Sequence, residues 1–142
     1  MLMDNEILAN FPISEIVSKF PKSGQKQALL VKHNSYGLVM LKIVDGNNER
    51  VKREIQIVSE NNFENVPRIM EVNEFEVSGQ KGLYIFEEYI EGESLRSYIE
   101  NNKMGLEEAL KLTEQILKII VQMEKRHIVH RDIKPDNILR SK

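Results

Sequence analysis

The stretch Ile128-Val129-His130-Arg131-Asp132-Ile133-Lys134-Pro135-Asp136-Asn137-Ile138-Leu139 gathers more chemically capable side chains than any other part of this 142-residue sequence. Within it, Asp132, Lys134 and Asn137 set a carboxylate, an ammonium and a carboxamide at close intervals. Phosphoryl transfer spreads negative charge over phosphate oxygens. A site for it needs a carboxylate to orient and deprotonate the attacking hydroxyl, cations to offset phosphate charge, and a hard oxygen ligand for Mg²⁺. Asp132, Lys134 and Asn137 can supply these in that order. His130 and Arg131 are read as organisers of the loop. From Lys118 to Lys142 there are seven Lys or Arg against three Asp or Glu, a local positive balance suited to a bound phosphate.

Elements must hold that stretch in place. Immediately before it, a helical pattern runs from Leu106 to about Lys125: Ala109, Leu110, Ile116, Leu117, Ile120 and Met123 lie close to one stripe, with Glu107, Glu108, Lys111, Glu114 and Lys118 largely off it. Gly105 followed by Glu108 resembles a weak capping box. A shorter helical segment surrounds Leu95, Tyr98 and Ile99. Upstream the pattern changes type. From Ile16 to Val44 short β-favouring runs, Ala28-Leu29-Leu30-Val31 and Leu38-Val39-Met40-Leu41, flank the turn signal Asn34-Ser35-Tyr36-Gly37, which predicts two or three antiparallel strands. Val51, Ile55 and Val58 then mark one helical face ending around Asn61-Asn62. Strand signals return from Arg68 to Val77, break at Ser78-Gly79-Gln80-Lys81-Gly82, and resume in Leu83-Tyr84-Ile85-Phe86. The order is β-β-β-α-β-β followed by helices, an α+β chain.

The stretch after the long helix resembles the catalytic loop of protein kinases, H-R-D-L-x-x-x-N, with Ile133 in place of Leu, and Lys134 resembles the serine/threonine branch. The resemblance implies a five-stranded antiparallel N-lobe with one helix over residues 1–91, then the first helices and catalytic loop of a mostly helical C-lobe over residues 92–142. It implies ATP and Mg²⁺ as cofactors, Asp132, Lys134 and Asn137 as catalytic residues, and Asn137 as a metal ligand. Val39-Met40-Leu41-Lys42 is similar to V-A-I-K, so Lys42 is expected to hold phosphate and to pair with Glu54 on the following helix. Leu83 to Leu95 is similar to the fifth strand and hinge, which makes Glu87 the gatekeeper and gives adenine the backbones of Glu88 and Ile90. The glycine loop aligns with Pro21-Lys22-Ser23-Gly24-Gln25-Lys26, where Ser23, Gly24 and Lys26 would approach phosphate with a single glycine among them. Met40 stands where the family has a small residue beside adenine.

The implied function is transfer of the ATP γ-phosphoryl group to protein serine or threonine hydroxyls. The kinase pattern continues to D-F-G and A-P-E, whereas these residues stop at Arg140-Ser141-Lys142. The isolated chain is therefore expected not to be competent in catalysis. The alternative is a non-catalytic kinase-like module that binds nucleotide or a partner and regulates it. A small-molecule kinase of the aminoglycoside or choline type ranks last, because its loop usually lacks Arg131 and Lys134-Pro135.

Composition agrees with a soluble domain: 41% hydrophobic, 30% charged, with 20 Lys plus Arg against 22 Asp plus Glu. That balance argues against coating nucleic acid. No cysteine is present, which removes disulfides, thiolate metal sites and cysteine nucleophiles and fits a reducing compartment. Met1-Leu2-Met3-Asp4-Asn5-Glu6 has no basic n-region and no long apolar run follows, so no leader or membrane anchor is expected and the reading is cytoplasmic. A protein substrate or regulatory partner is expected, as is self-association through the 106–125 helix.

Overall fold

The computed structural model describes residues 1–22, 26–46, 49–60, 63–129 and 133–141, with the side chains of residues 50, 51, 54, 57 and 58 outside that set. The chain divides into two compact units, Met1–Asn62 with Pro67–Tyr89, and Phe63–Val66 with Ile90–Lys142.

The first unit is a sheet with β1 (Ile13–Lys19), β2 (Lys26–His33), β3 (Gly37–Asp45), β4 (Ile69–Val77) and β5 (Gln80–Glu88). Every neighbouring pair is antiparallel, in the order β1-β2-β3-β5-β4. Alternation along β3 fixes its two faces: Val39, Leu41 and Ile43 are buried, while Met40, Lys42 and Val44 are half-buried. Leu29 and Val31 of β2 stand opposite Leu41 and Val39, and Phe86 of β5 stands opposite Leu41. These side chains form the core with Leu2, Ile7 and Phe11 from the N-terminal segment. Helix α2 (Glu49–Glu60) follows β3 and packs beside β4, where Lys52 pairs with Glu74.

The N-terminal helix α1 (Asp4–Asn10) was not expected, since seven residues are too few for a helical period to register in the sequence. Its first turn is closed by Met3 N–H donating to Glu6 Oε2 at 2.8 Å, which holds the Glu6 carboxyl below its ordinary value. Asp4 also pairs with Lys19 at 2.6 Å. With Ile7 and Phe11 buried against the sheet, β1 begins at Ile13 rather than Ile16.

Two hairpins depend on particular residues. In the β2–β3 turn, His33 Nδ1 accepts from the amides of Ser35 (3.0 Å) and Tyr36 (3.2 Å), and Gly37 takes a positive φ of 75°. In the β4–β5 turn the expected five-residue break shrinks to Ser78-Gly79, with φ of 50° and 78°. Positive φ at both central residues is the two-residue hairpin geometry that matches strand twist, so Gln80 already pairs with Val77. Gly82 is therefore inside β5, and a Cβ there would lie 2.0 Å from the Val44 carbonyl oxygen.

In the second unit, β6 (Gly92–Ser94) pairs antiparallel with β7 (Leu139–Ser141), a contact between distant segments that local pattern does not announce. Helix α3 (Leu95–Asn101) is capped by Ser94 Oγ, which accepts from Ser97 N–H at 3.1 Å. Helix α4 (Leu106–Lys125) begins at Gly105 as expected. Glu108, expected to complete a capping box, instead accepts from the Tyr98 hydroxyl at 2.8 Å, and that bond raises the Tyr98 pKa.

The α4 stripe also needs correction. Ile116, Leu117, Ile120 and Met123, read as one stripe, are not buried alike. Met123 is buried and Ile116 and Ile120 are half-buried, whereas Leu106, Leu110, Leu117 and Val121 are exposed. Apolar residues occupy two adjoining stripes, and one faces inward. Just past Met123 the chain folds back, with Ile128 N–H donating to the Met123 carbonyl at 2.9 Å.

Gly82→Ala should destabilise the first unit by about 1–3 kcal/mol, the usual cost of forcing extra volume into a packed site. Gly105→Ala, where a Cβ meets nothing within 4 Å, should cost under about 1 kcal/mol. Urea unfolding of the two variants checks the contrast.

Candidate functional site

On the half-buried face of the sheet, strand register lines up three cross-strand rows. Leu30, Met40 and Glu87 form one, Ala28, Lys42 and Ile85 the next, and Lys26, Val44 and Leu83 the third. Lys42 and Glu87 are thus diagonal neighbours on adjacent strands, within reach of long side chains. They form an ion pair, with side chains 39% and 14% exposed respectively. A charge so far withdrawn from water needs a partner, and Lys42 supplies it.

The sequence named Glu54 as the partner of Lys42. Glu54 belongs to α2, but its side chain lies outside the described residues. Lys52, nearby on the same helix, holds Glu74 of β4, and that contact raises the Lys52 pKa. Ser23 and Gly24 also fall outside the described residues, whereas Lys26 opens β2, exposed, on the same face as Lys42. Glu88 closes β5: its N–H donates to the Arg68 carbonyl at 2.8 Å and its Oε2 accepts from Arg68 N–H at 3.2 Å. Ile90 is half-buried and opens the second unit.

Of the loop residues, Asp132, with His130 and Arg131, lies outside the described residues. Lys134 stands at the start of a single 3₁₀ turn, Pro135–Asn137, and its carbonyl accepts from Asn137 N–H at 2.9 Å. Proline suits that first position because its φ is preset and its missing N–H is not needed. Arg96 Nε of α3 donates to Asp136 Oδ1 at 2.8 Å, which draws the Asp136 carboxyl below its ordinary range. On the far side of the turn, Leu95 N–H donates to the Ile138 carbonyl at 2.7 Å. Lys134 and Asn137 are thereby bracketed by two attachments to the start of α3. Sequence reading missed both Arg96 and the pairing of Glu87. Arg96 carries no motif signal, and Glu87 signals its role only once register sets it beside Lys42.

Among the described residues no group of three or more His, Cys, Asp or Glu could cage a metal. Mg²⁺ does not require one, since it commonly takes one or two protein oxygens and completes its shell with phosphate and water. Asn137 fits that role, and Lys42 and Lys26 fit a polyanion on the sheet face.

Comparison with known proteins follows the same lines. The family described as protein kinase domain matches residues 25–142. The chain is 40% identical over 91 residues to the serine/threonine-protein kinase PrkC of Bacillus subtilis, covering 63% of this chain and 13% of that protein. It is 32% identical over 99 residues to PksC, a serine/threonine-protein kinase of Streptomyces coelicolor, covering 66% and 18%. It is 34% identical over 95 residues to the mouse serine/threonine-protein kinase DCLK3, covering 66% and 12%. The chain spans less than a fifth of the length of each of these relatives.

Because the folded Asp136 pKa is depressed, the Arg96 link contributes fully above the ordinary carboxyl value of 3.8 and is lost as pH falls through the lower folded value. Arg96→Gln should move the Asp136 titration midpoint, followed by carboxyl carbon NMR, back up toward 3.8. An unmoved midpoint would show that Arg96 does not hold the turn.

Proposed function

The chain belongs to the protein kinase domain family, and from that premise we propose that it is part of a kinase domain that holds ATP with Mg²⁺ and transfers the γ-phosphoryl group to protein serine or threonine hydroxyls, without being competent in that transfer as an isolated chain. The observation that carries the reading is the place of Lys42: a partly exposed ammonium in line with Met40, on the face opposite Leu29, Leu41 and Phe86. Residues 1–91 are assigned the nucleotide, through Ser23, Gly24, Lys26, Lys42 and Glu54, with the backbones of Glu88 and Ile90 toward adenine. Residues 92–142 are assigned the chemistry. Asp132 orients the attacking hydroxyl and takes its proton, and Lys134 offsets phosphate charge. Asn137 offers its oxygen to Mg²⁺, which when bound draws charge from the phosphate oxygens. The names of the similar proteins support a serine/threonine preference. The lack of cysteine supports a cytoplasmic setting, and no described helix is long and apolar enough to cross a membrane.

We also propose that α4 associates with a second copy. Leu106, Leu110, Leu117 and Val121 are 78%, 61%, 55% and 47% exposed along one stripe. Beside it run Glu107 and Glu114 toward the N-terminal end, and Lys118 and Lys125 toward the C-terminal end. An antiparallel pair of such helices sets Glu107 against Lys125 and Glu114 against Lys118 of the second copy, a self-complementary charge order.

Calorimetry tests the nucleotide reading. Lys42→Met should weaken ATP binding by about tenfold or more, the loss of a charge-assisted hydrogen bond worth ~1.5–3 kcal/mol. Equal affinity in the variant would remove Lys42 from the phosphate site. Sedimentation equilibrium tests the second reading: a dimer should form and Leu117→Glu should abolish it. A wild-type monomer across the concentration range would reject it.

A further inference from the structure

We propose that Glu87 is an internal counter-ion that Lys42 must leave, at least in part, to hold a phosphate, so that residue 87 sets how strongly the sheet face binds a polyphosphate. This rests on the reading of Lys42 as a phosphate contact.

The register makes the pairing a property of the sheet. Met40 faces Glu87 and Lys42 faces Ile85, so the two charges are held one row apart on hydrogen-bonded strands. Glu87 stands between its cross-strand partners Met40 of β3 and Ile69 of β4, and its side chain is 14% exposed. A short glutamate anchored there cannot follow the lysine toward solvent. The lysine can move, because a four-carbon stem carries its ammonium and more than a third of its side chain is exposed. The partners are therefore unequal. One is a withdrawn, immobile anion, and the other is a flexible cation open to the solvent side.

An oxyanion approaching Lys42 meets two opposite charges. Attraction to the ammonium is offset by repulsion from the carboxylate beside it, and at separations of a few ångströms near a protein surface both are substantial. Turning Lys42 toward phosphate also leaves Glu87, 14% exposed, with weaker compensation for its lost hydration. Both effects oppose phosphate binding and both vanish when residue 87 is neutral. Neither acts on a ligand without phosphate.

The test compares wild type with Glu87→Gln, which keeps the shape and a hydrogen-bond acceptor while removing the charge. Calorimetry is run with ATP and separately with adenosine, and acylation of Lys42 by a small amine-reactive ester is followed by peptide mass spectrometry. ATP should bind about three- to tenfold more tightly to the variant, adenosine should show no comparable gain, and Lys42 should acylate faster in the variant. Unchanged or weaker ATP binding overturns the proposal, as does an equal gain for adenosine or an unchanged acylation rate. If neither protein binds ATP while acylation still rises, the ion pair stands, and the phosphate reading of the face fails and takes the exchange with it. Should Glu87→Gln unfold, Glu87→Met, apolar like its neighbour Met40, carries the same comparison.

Discussion

The placing of Lys42 and Glu87 on one face of the sheet depends on the register of β3 against β5. Side chains alternate faces along a strand, so a slip of one residue would send Lys42 among Leu29, Phe86 and their neighbours and bring Leu41 out to the half-buried face. Burial of an unpaired ammonium among those side chains is prohibitive. Two features hold that register. Gly46 N–H, one residue past β3, donates to the carbonyl of Lys81 near the start of β5 at 2.9 Å. Gly82 lets the Val44 carbonyl come closer than any side chain would permit.

The second unit solves a different problem, which is to shape a short loop with little hydrophobic burial. Pro135, Asp136 and Asn137 are too few to pack, and β7 is exposed along its length. Polar attachments take the place of packing: Arg96 to Asp136, Leu95 N–H to the Ile138 carbonyl, and the β6–β7 ladder. Arg140 of that ladder also lies over the Tyr98 ring at 4.4 Å, and Tyr98 in turn holds Glu108 of α4. The loop is thereby tied to α3 and, through it, to the start of α4. Such attachments are individually weak and exposed, and their value lies in acting on one short turn from both sides.

Sequence pattern made the five strands and the helices α2, α3 and α4 legible because each presents a run of apolar residues at a regular period. It singled out Lys42, Lys134 and Asn137 because their spacing matches a motif. What it hid was of another kind. Helix α1 is too short for a period to show, and its anchor, Lys19, lies outside the helix. The turn Ser78-Gly79 was overestimated because Gly82 reads as a turn residue, while its role is to admit a carbonyl. The α4 stripes merged because the helix is apolar over adjoining faces, and only packing decides which one turns inward. Glu87 reads as an acid in an acidic run, and its pairing depends on a residue 45 positions away brought near by register.

The two faces of β3 differ in burial. Leu29, Val31, Leu41, Ile43 and Phe86 are almost wholly buried on one face, together with Leu2 and Ile7. Burying side chains of this size contributes about 1.5–3 kcal/mol each, and none of that contribution requires Met40, Lys42 or Glu87. The other face carries a lysine, an acid and half-buried side chains beside its own buried Leu30, Leu83 and Ile85. The segregation has a consequence for variation along β3. Changes at its odd-numbered core positions, Val39, Leu41 and Ile43, disturb buried packing, whereas changes at the even-numbered Met40 and Lys42 alter a partly exposed face. A strand one residue thick thus serves two selective demands, because its pleat keeps them on opposite sides.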